Sequence, residues 1–149
     1  MTQKINFMSI AIEEALNAAS KEEIPVGAVA VLNNKIIARA GNRIRELKDI
    51  TAHAEILVIR MSCELLSKEI LPGVDIYVTL EPCTMCAAAI SFARIRRLYY
   101  GSPNPKGGGV EHGSQFYKLA TCHHKPEVYS GINEIRSKQI IQNFFKEKR

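Results

Sequence analysis

Two short stretches decide the reading of this chain: Thr79-Leu80-Glu81-Pro82-Cys83-Thr84-Met85-Cys86 and, upstream of it, Ala52-His53-Ala54-Glu55. Cys83 and Cys86 are soft ligands at a C-x-x-C spacing, and His53 offers a third donor. Three protein ligands leave the fourth position of a tetrahedral zinc open to water, the arrangement of a catalytic rather than a structural site. Glu55, two residues beyond His53, is the carboxylate such a site needs as a general base. Residues two apart point to different sides of a regular helix, so His53 and Glu55 can share a site only at a helix's first turn. Cys83 and Cys86, three apart, can share a helix face. The positive ends of two helices are thus expected to converge on the anionic ligands of one cation.

Working outward, strands and helices alternate. An amphipathic helix is predicted over Ile5 to Ser20, with Ile5, Met8, Ile12, Ala15 and Ala19 on one side and Glu13, Glu14 and Asn17 on the other. Val26 to Leu32 and Lys35 to Ala40 read as a hairpin joined at Asn33-Asn34, a pair that tolerates positive φ. The polar run Gly41 to Thr51 predicts a loop, followed by a helix to about Leu66 with Ile56, Ile59 and Cys63 near one face. Pro72-Gly73 is a turn, and Val74 to Leu80 a third strand. Pro82 suits the first turn of a helix over about Cys83 to Ala93, and Ile95 to Tyr100 is a fourth strand. Gly101 to Gly113, rich in Pro, Asn and Gly, predicts a mobile surface loop open to substrate contact or to plain solvation. A short helix over Gln115 to Ala120, an extended piece at Val128-Tyr129 and a helix over Asn133 to Lys146 complete the chain. The last helix takes its apolar face from Ile140, Ile141, Phe144 and Phe145. The pattern is that of an α/β domain with a mixed sheet covered on both faces, a single domain over residues 1–149.

Composition narrows the setting. With 149 residues and 46% hydrophobic content the chain suffices for one sizeable core. No apolar run approaches the roughly 18–20 residues of a membrane span, and the start at Met1-Thr2-Gln3-Lys4 shows no secretory signal, so a cytoplasmic protein is expected. Twenty Lys and Arg against 15 Asp and Glu give a net charge of +5, which permits a nucleic-acid partner. In a reducing compartment the C-x-x-C is metal-binding or redox-active rather than a structural disulfide. No second C-x-x-C completes a four-sulfur site, and a redox motif leaves His53, Glu55 and Pro82 unexplained. Cys63 reads as a core thiol. Cys122-His123-His124 is a weaker candidate for a second metal cluster.

At these residues, and along most of the chain from Pro25-Val26-Gly27-Ala28-Val29 to Phe144-Phe145, the sequence resembles the bacterial tRNA-specific adenosine deaminases of the cytidine deaminase-like superfamily. The H-x-E and P-C-x-x-C pattern is superfamily-wide; the longer flanks carry the narrower likeness. The resemblance implies a three-layer α/β/α sandwich around a five-stranded mixed sheet and a homodimer with one Zn2+ per subunit. It also implies hydrolytic conversion of adenosine to inosine at the wobble position of a tRNA anticodon stem-loop. It carries metal ligation onto His53, Cys83 and Cys86, attack at C6 by zinc-activated water, and proton transfer onto Glu55. Substrate contacts fall on Asn42, Val26, Asn104 and Lys106. Two departures concern the loops: Asn104-Pro105-Lys106 stands where the family often has Asp, and Glu111-His112 lengthens the following segment. Arg94, Arg96, Arg97, Lys106, Lys146, Lys148 and Arg149 are candidates for phosphate contact. The rival readings are a deaminase of a free base or nucleoside, guanine or cytosine, and a non-enzymatic zinc- or RNA-binding module.

Overall fold

The computed structural model describes residues 6–148. Ile5, the Met1–Lys4 start and the candidate Arg149 lie outside them. Helix α1 (Phe7–Ser20) begins where the Asn6 side chain accepts the Ser9 N–H, and buries Met8, Ala11, Ile12, Ala15 and Ala18. Strands β1 (Gly27–Leu32) and β2 (Lys35–Gly41) pair antiparallel through Asn33 and Asn34, both at positive φ as the hairpin requires.

The sheet order is β2-β1-β3-β4-β5, with β3 at Asp75–Leu80, β4 at Arg97–Ser102 and β5 at Glu127–Tyr129. The β1 to β3 pairing is antiparallel, whereas β3 to β4 and β4 to β5 are parallel, so the sheet is mixed. Strand β1 is buried on both faces. Val29 and Val31 pack with α1 and with Ile140 of α5 (Glu134–Glu147). Ala28 and Ala30 face the opposite core, which holds Leu57 and Val58 of α3 (Ala54–Leu66) and Ala87 and Ile90 of α4 (Thr84–Phe92). The result is a five-stranded mixed sheet between two helical layers, the cytidine deaminase-like fold.

Four local expectations need correction. Gly41 to Thr51 is not all loop: Ile44–Leu47 forms a short helix, α2, because the buried Glu23 carboxylate accepts the N–H groups of Arg45 and Glu46. On α3 the fully buried stripe is Ala54, Val58 and Ser62 with Leu57 beside it, while Ile56, Ile59 and Cys63 flank it half-buried. Strand β4 starts two residues late, since the Ile95 N–H closes the end of α4 on the Ile90 carbonyl. Pro82 precedes the cap of α4 instead of lying in its first turn.

The largest correction concerns Gly101 to Gly113. Gly101 and Ser102 finish β4, and Gly108, Gly109 and Val110 are buried. A Cβ on Gly108 would lie 2.5 Å from the Glu81 carboxyl carbon, and one on Gly109 would lie 2.5 Å from the Thr84 nitrogen. These two glycines serve close packing, not mobility.

Candidate active site

The parallel β3–α4–β4 crossover puts the start of α4 at the C-terminal end of the sheet, the usual place for a site in an α/β protein. His53 is the N-cap of α3 and Cys83 the N-cap of α4, both with extended backbone, and neither side chain caps its own helix. Both side chains turn toward each other instead. His53 Nδ1 stands 3.7 Å from Cys83 Sγ and 3.5 Å from Cys86 Sγ, with Cys86 in the first turn of α4. The three ligand atoms all lie within 4.8 Å of one another. One imidazole nitrogen and two thiol sulfurs at two positive helix ends are a donor set that fits zinc.

The two thiols shift each other in opposite directions. Hydrogen bonding from Cys86 pulls Cys83 down to about 4, and the same contact pushes Cys86 well up. The Cys83 sulfur in turn holds the His53 imidazole above its ordinary range. Glu55, in the first turn of α3, is 3% exposed, and its burial pushes its carboxyl up to about 7. A carboxyl titrating near neutrality can both take and return a proton at working pH.

These groups open onto a cavity of about 440 Å³, within the size range of small-molecule sites. His53, Glu55 and Cys83 line it, and so do the four residues expected at the substrate, Val26, Asn42, Asn104 and Lys106. Asn42 is buried, and its Oδ1 accepts the Ala54 N–H at 2.8 Å. It thereby supplies the cap that His53 does not give α3, and leaves Nδ2 for the cavity. Asn42→Ala should therefore lower stability by about 1–2 kcal/mol, read as a lower urea midpoint, while Asn42→Asp keeps the acceptor and most of the stability. An unchanged midpoint for Asn42→Ala would contradict this role. Asn104 Oδ1 accepts the Gly107 N–H, so its oxygen is engaged within the turn.

Other candidates lie elsewhere. Arg96 and Arg97 pair with Asp75 and Glu127 at the start of the parallel strands. At about 3.3 Å per residue that end is roughly 17 Å from the cavity. Arg94, three residues ahead of β4, belongs to that same end. Lys146 lies with Lys106 along an adjoining recess, and Lys148 pairs with Glu22 at 3.7 Å. Cys122-His123-His124 forms no metal cluster: among the described residues the group that could hold a metal ion is His53, Cys83 and Cys86. His124 Nε2 donates to the Ile95 carbonyl, and the Cys122 thiol is buried beside Ser91.

Sequence reasoning missed Glu81. Its carboxylate, fully buried, accepts backbone N–H groups from Asn104, Val110, Glu111 and His112, and the His112 ring. Burial alone would raise its pKa, but these donors together hold it below the ordinary carboxyl value. The signal available was an acidic residue directly after β3, with no Lys or Arg between Lys68 and Arg94. Ile24, Ile44, Leu80, Ile141 and Phe145, which give the cavity its apolar walls, were also missed as lining residues.

Comparison with known proteins agrees with this geometry. The MafB19-like deaminase family matches residues 2–149. A tRNA-specific adenosine deaminase of Agrobacterium fabrum is 62% identical over 149 residues, covering 100% of this chain and 98% of its own. The tRNA-specific adenosine deaminase of Bacillus subtilis is 41% identical, covering 100% and 92%. A solved structure from studies of A-to-I editing by tRNA:A34 deaminases superposes with a TM-score of 0.89 at 64% identity, covering 90% of this chain and 97% of that one. On fold, site and likeness together, the chain belongs to the tRNA-specific adenosine deaminase family.

Proposed function

We propose that the protein hydrolytically deaminates adenosine at the wobble position of a tRNA anticodon, releasing ammonia and leaving inosine. The observation that carries the chemistry is the convergence of His53, Cys83 and Cys86 beside the buried Glu55 against one cavity. The likeness to tRNA-specific relatives carries the choice of substrate.

His53, Cys83 and Cys86 would hold one Zn2+ per subunit. When bound, such an ion lowers the pKa of a water molecule from 15.7 toward about 7 and supplies the nucleophile for C6 of the base. Glu55 accepts the proton that the water gives up. It delivers that proton to the ring nitrogen next to C6, then takes the remaining proton of the hydroxyl added at C6 and passes it to the departing amino group. The C–N bond breaks, the oxygen stays as a carbonyl and neutral ammonia leaves. Water enters and ammonia leaves, and no other reactant is needed. Asn42 Nδ2 and the turn of Asn104 to Gly107 orient the base, and the apolar walls exclude bulk water around it.

An anticodon loop presents bases already unstacked, so extruding one of them into the cavity is least costly there. Lys106 at the cavity and Lys146 beside it meet the phosphates, and affinity falls steeply with added salt. No helix among the described residues is long and apolar enough to cross a membrane. The reduced thiols and the tRNA substrate suit the cytoplasm. The exposed Met61 and Leu65 of α3 and Phe92 of α4 support a homodimer.

The test incubates purified protein with an A-wobble anticodon stem-loop and, separately, with adenosine, guanine and cytosine. Inosine should form in the stem-loop. Ammonia released from the free compounds alone would replace this reading with the free-base one, and bound zinc with no ammonia from any substrate would leave only a binding module.

A further inference from the structure

The buried carboxylate of Glu81 gathers an unusual number of donors next to the cavity. Oε1 accepts the Asn104 N–H at 3.0 Å and His112 Nδ1 at 2.7 Å. Oε2 accepts the N–H groups of Val110, Glu111 and His112 at 3.1, 2.9 and 3.1 Å. These bonds grip residues 104–112 at both ends. Between the grips the chain folds tightly on itself. The Gly108 N–H reaches the Asn104 carbonyl at 2.7 Å, and the Gly109 N–H reaches the Pro82 carbonyl at 2.8 Å. The Tyr100 hydroxyl donates to the Glu111 side chain and fixes the far end of the segment a second time. Asn104, Lys106 and Gly107, the part held between the grips, form one wall of the cavity.

A carboxylate facing five donors is a geometric anchor, because charge-assisted bonds are shorter and stronger than neutral ones and their directions fix the loop's path. The His112 side chain contributes one of the five from outside the cavity lining, at 36% side-chain exposure. It seals the grip from the solvent side.

We propose that Glu81 and His112 are positioning residues that hold the Asn104–Gly107 wall ready for the anticodon loop, so that they set the affinity for a polynucleotide rather than the rate of the chemical step. This rests on the reading of the protein as a tRNA deaminase. A pre-formed wall spares the ordering cost that a floppy segment incurs on binding. A residue that merely fills space in the core would lower melting temperature and kcat without separating KM from kcat.

The experiment compares wild type, His112→Ala and His112→Gln, all zinc-loaded. KM and kcat are measured on the stem-loop, and hydrogen exchange on the amides of residues 110–112. His112→Ala should raise KM about tenfold, the scale of one lost bond to a charged group, leave kcat within about twofold, and speed exchange at those amides. His112→Gln, whose amide can still donate to Glu81, should restore both. A KM and exchange pattern like wild type in His112→Ala overturns the proposal, and so does a fall in kcat at constant KM. If wild type itself fails to deaminate the stem-loop, the proposed function fails separately, and unchanged amide exchange in His112→Ala then sinks the anchor on its own.

Discussion

Glu55→Ala should keep a full complement of zinc and lose about 10³-fold or more of its turnover on the stem-loop, at the upper part of the range for removing a positioned acid–base group. Glu55 sits two residues after His53 at the start of α3, where the chain can aim both side chains past the end of the helix axis into one cavity. None of the other cavity-lining side chains can take its place: Glu81 is the other carboxylate, and its oxygens are occupied by loop N–H groups. The measurement is kcat alongside zinc content, and a variant with near-wild-type kcat would remove Glu55 from the mechanism.

The same residue makes a second, independent prediction. Burial raises its folded-state pKa from 4.5 to about 7. A raised carboxyl pKa means that the charged form is disfavoured in the fold, so Glu55 costs stability above pH 7. That cost fades as pH falls from 7 toward 4.5, where the carboxyl is neutral in both states. Metal-free Glu55→Gln should therefore unfold at a higher urea midpoint than metal-free wild type at pH 8, with the difference shrinking at pH 5. Equal midpoints at both pH values would show that the carboxyl bears no burial cost. In the proposed mechanism function opposes stability at this residue, as expected where an acid–base group is kept dry.

What the sequence discloses about this protein is whatever depends on near neighbours. Asn33-Asn34 announces a tight turn because two adjacent residues tolerate positive φ, and the hairpin forms there. His53 with Glu55 announces a helix start because a two-residue spacing can serve one site only at a first turn, and His53 is indeed an N-cap position. Cys83 with Cys86 announces only a shared helix face, and Cys83 too stands at an N-cap. What stays hidden depends on partners distant in the chain. Glu23 nucleates α2 from 22 and 23 residues away. Glu81 organises a segment up to 31 residues downstream. Gly107 to Gly109 looks like a flexible run by composition, yet Gly108 and Gly109 are selected by what they touch, the Glu81 carboxyl and the start of α4. Basic residues illustrate the same limit. Arg96 and Lys106 are equivalent as charges in a sequence, but sheet register puts one at the closed end of the strands and the other at the cavity.

Stripping the metal should have the other large effect, on stability as well as on turnover. His53 and Cys83 stand at the N-cap positions of different helices, so a shared ion would tie α3 to α4 across the end of the sheet. An ion that binds the folded chain at a concentration about 1,000 times its dissociation constant adds about 4 kcal/mol. For a chain of this length that corresponds to a melting temperature roughly 8–16 °C higher with metal than without. Chelation should also reduce stem-loop deamination to background, and one equivalent of Zn2+ should restore both melting temperature and rate. Cys86→Ser sharpens the test, because Cys86 is fully buried and a serine hydroxyl is nearly the same size. The hydroxyl is a harder donor that stays protonated, so the variant should fold, bind zinc far more weakly and lose activity in step with the metal. A Cys86→Ser protein that retained one zinc per chain and a wild-type kcat would mean that the ion is held by some other set of ligands.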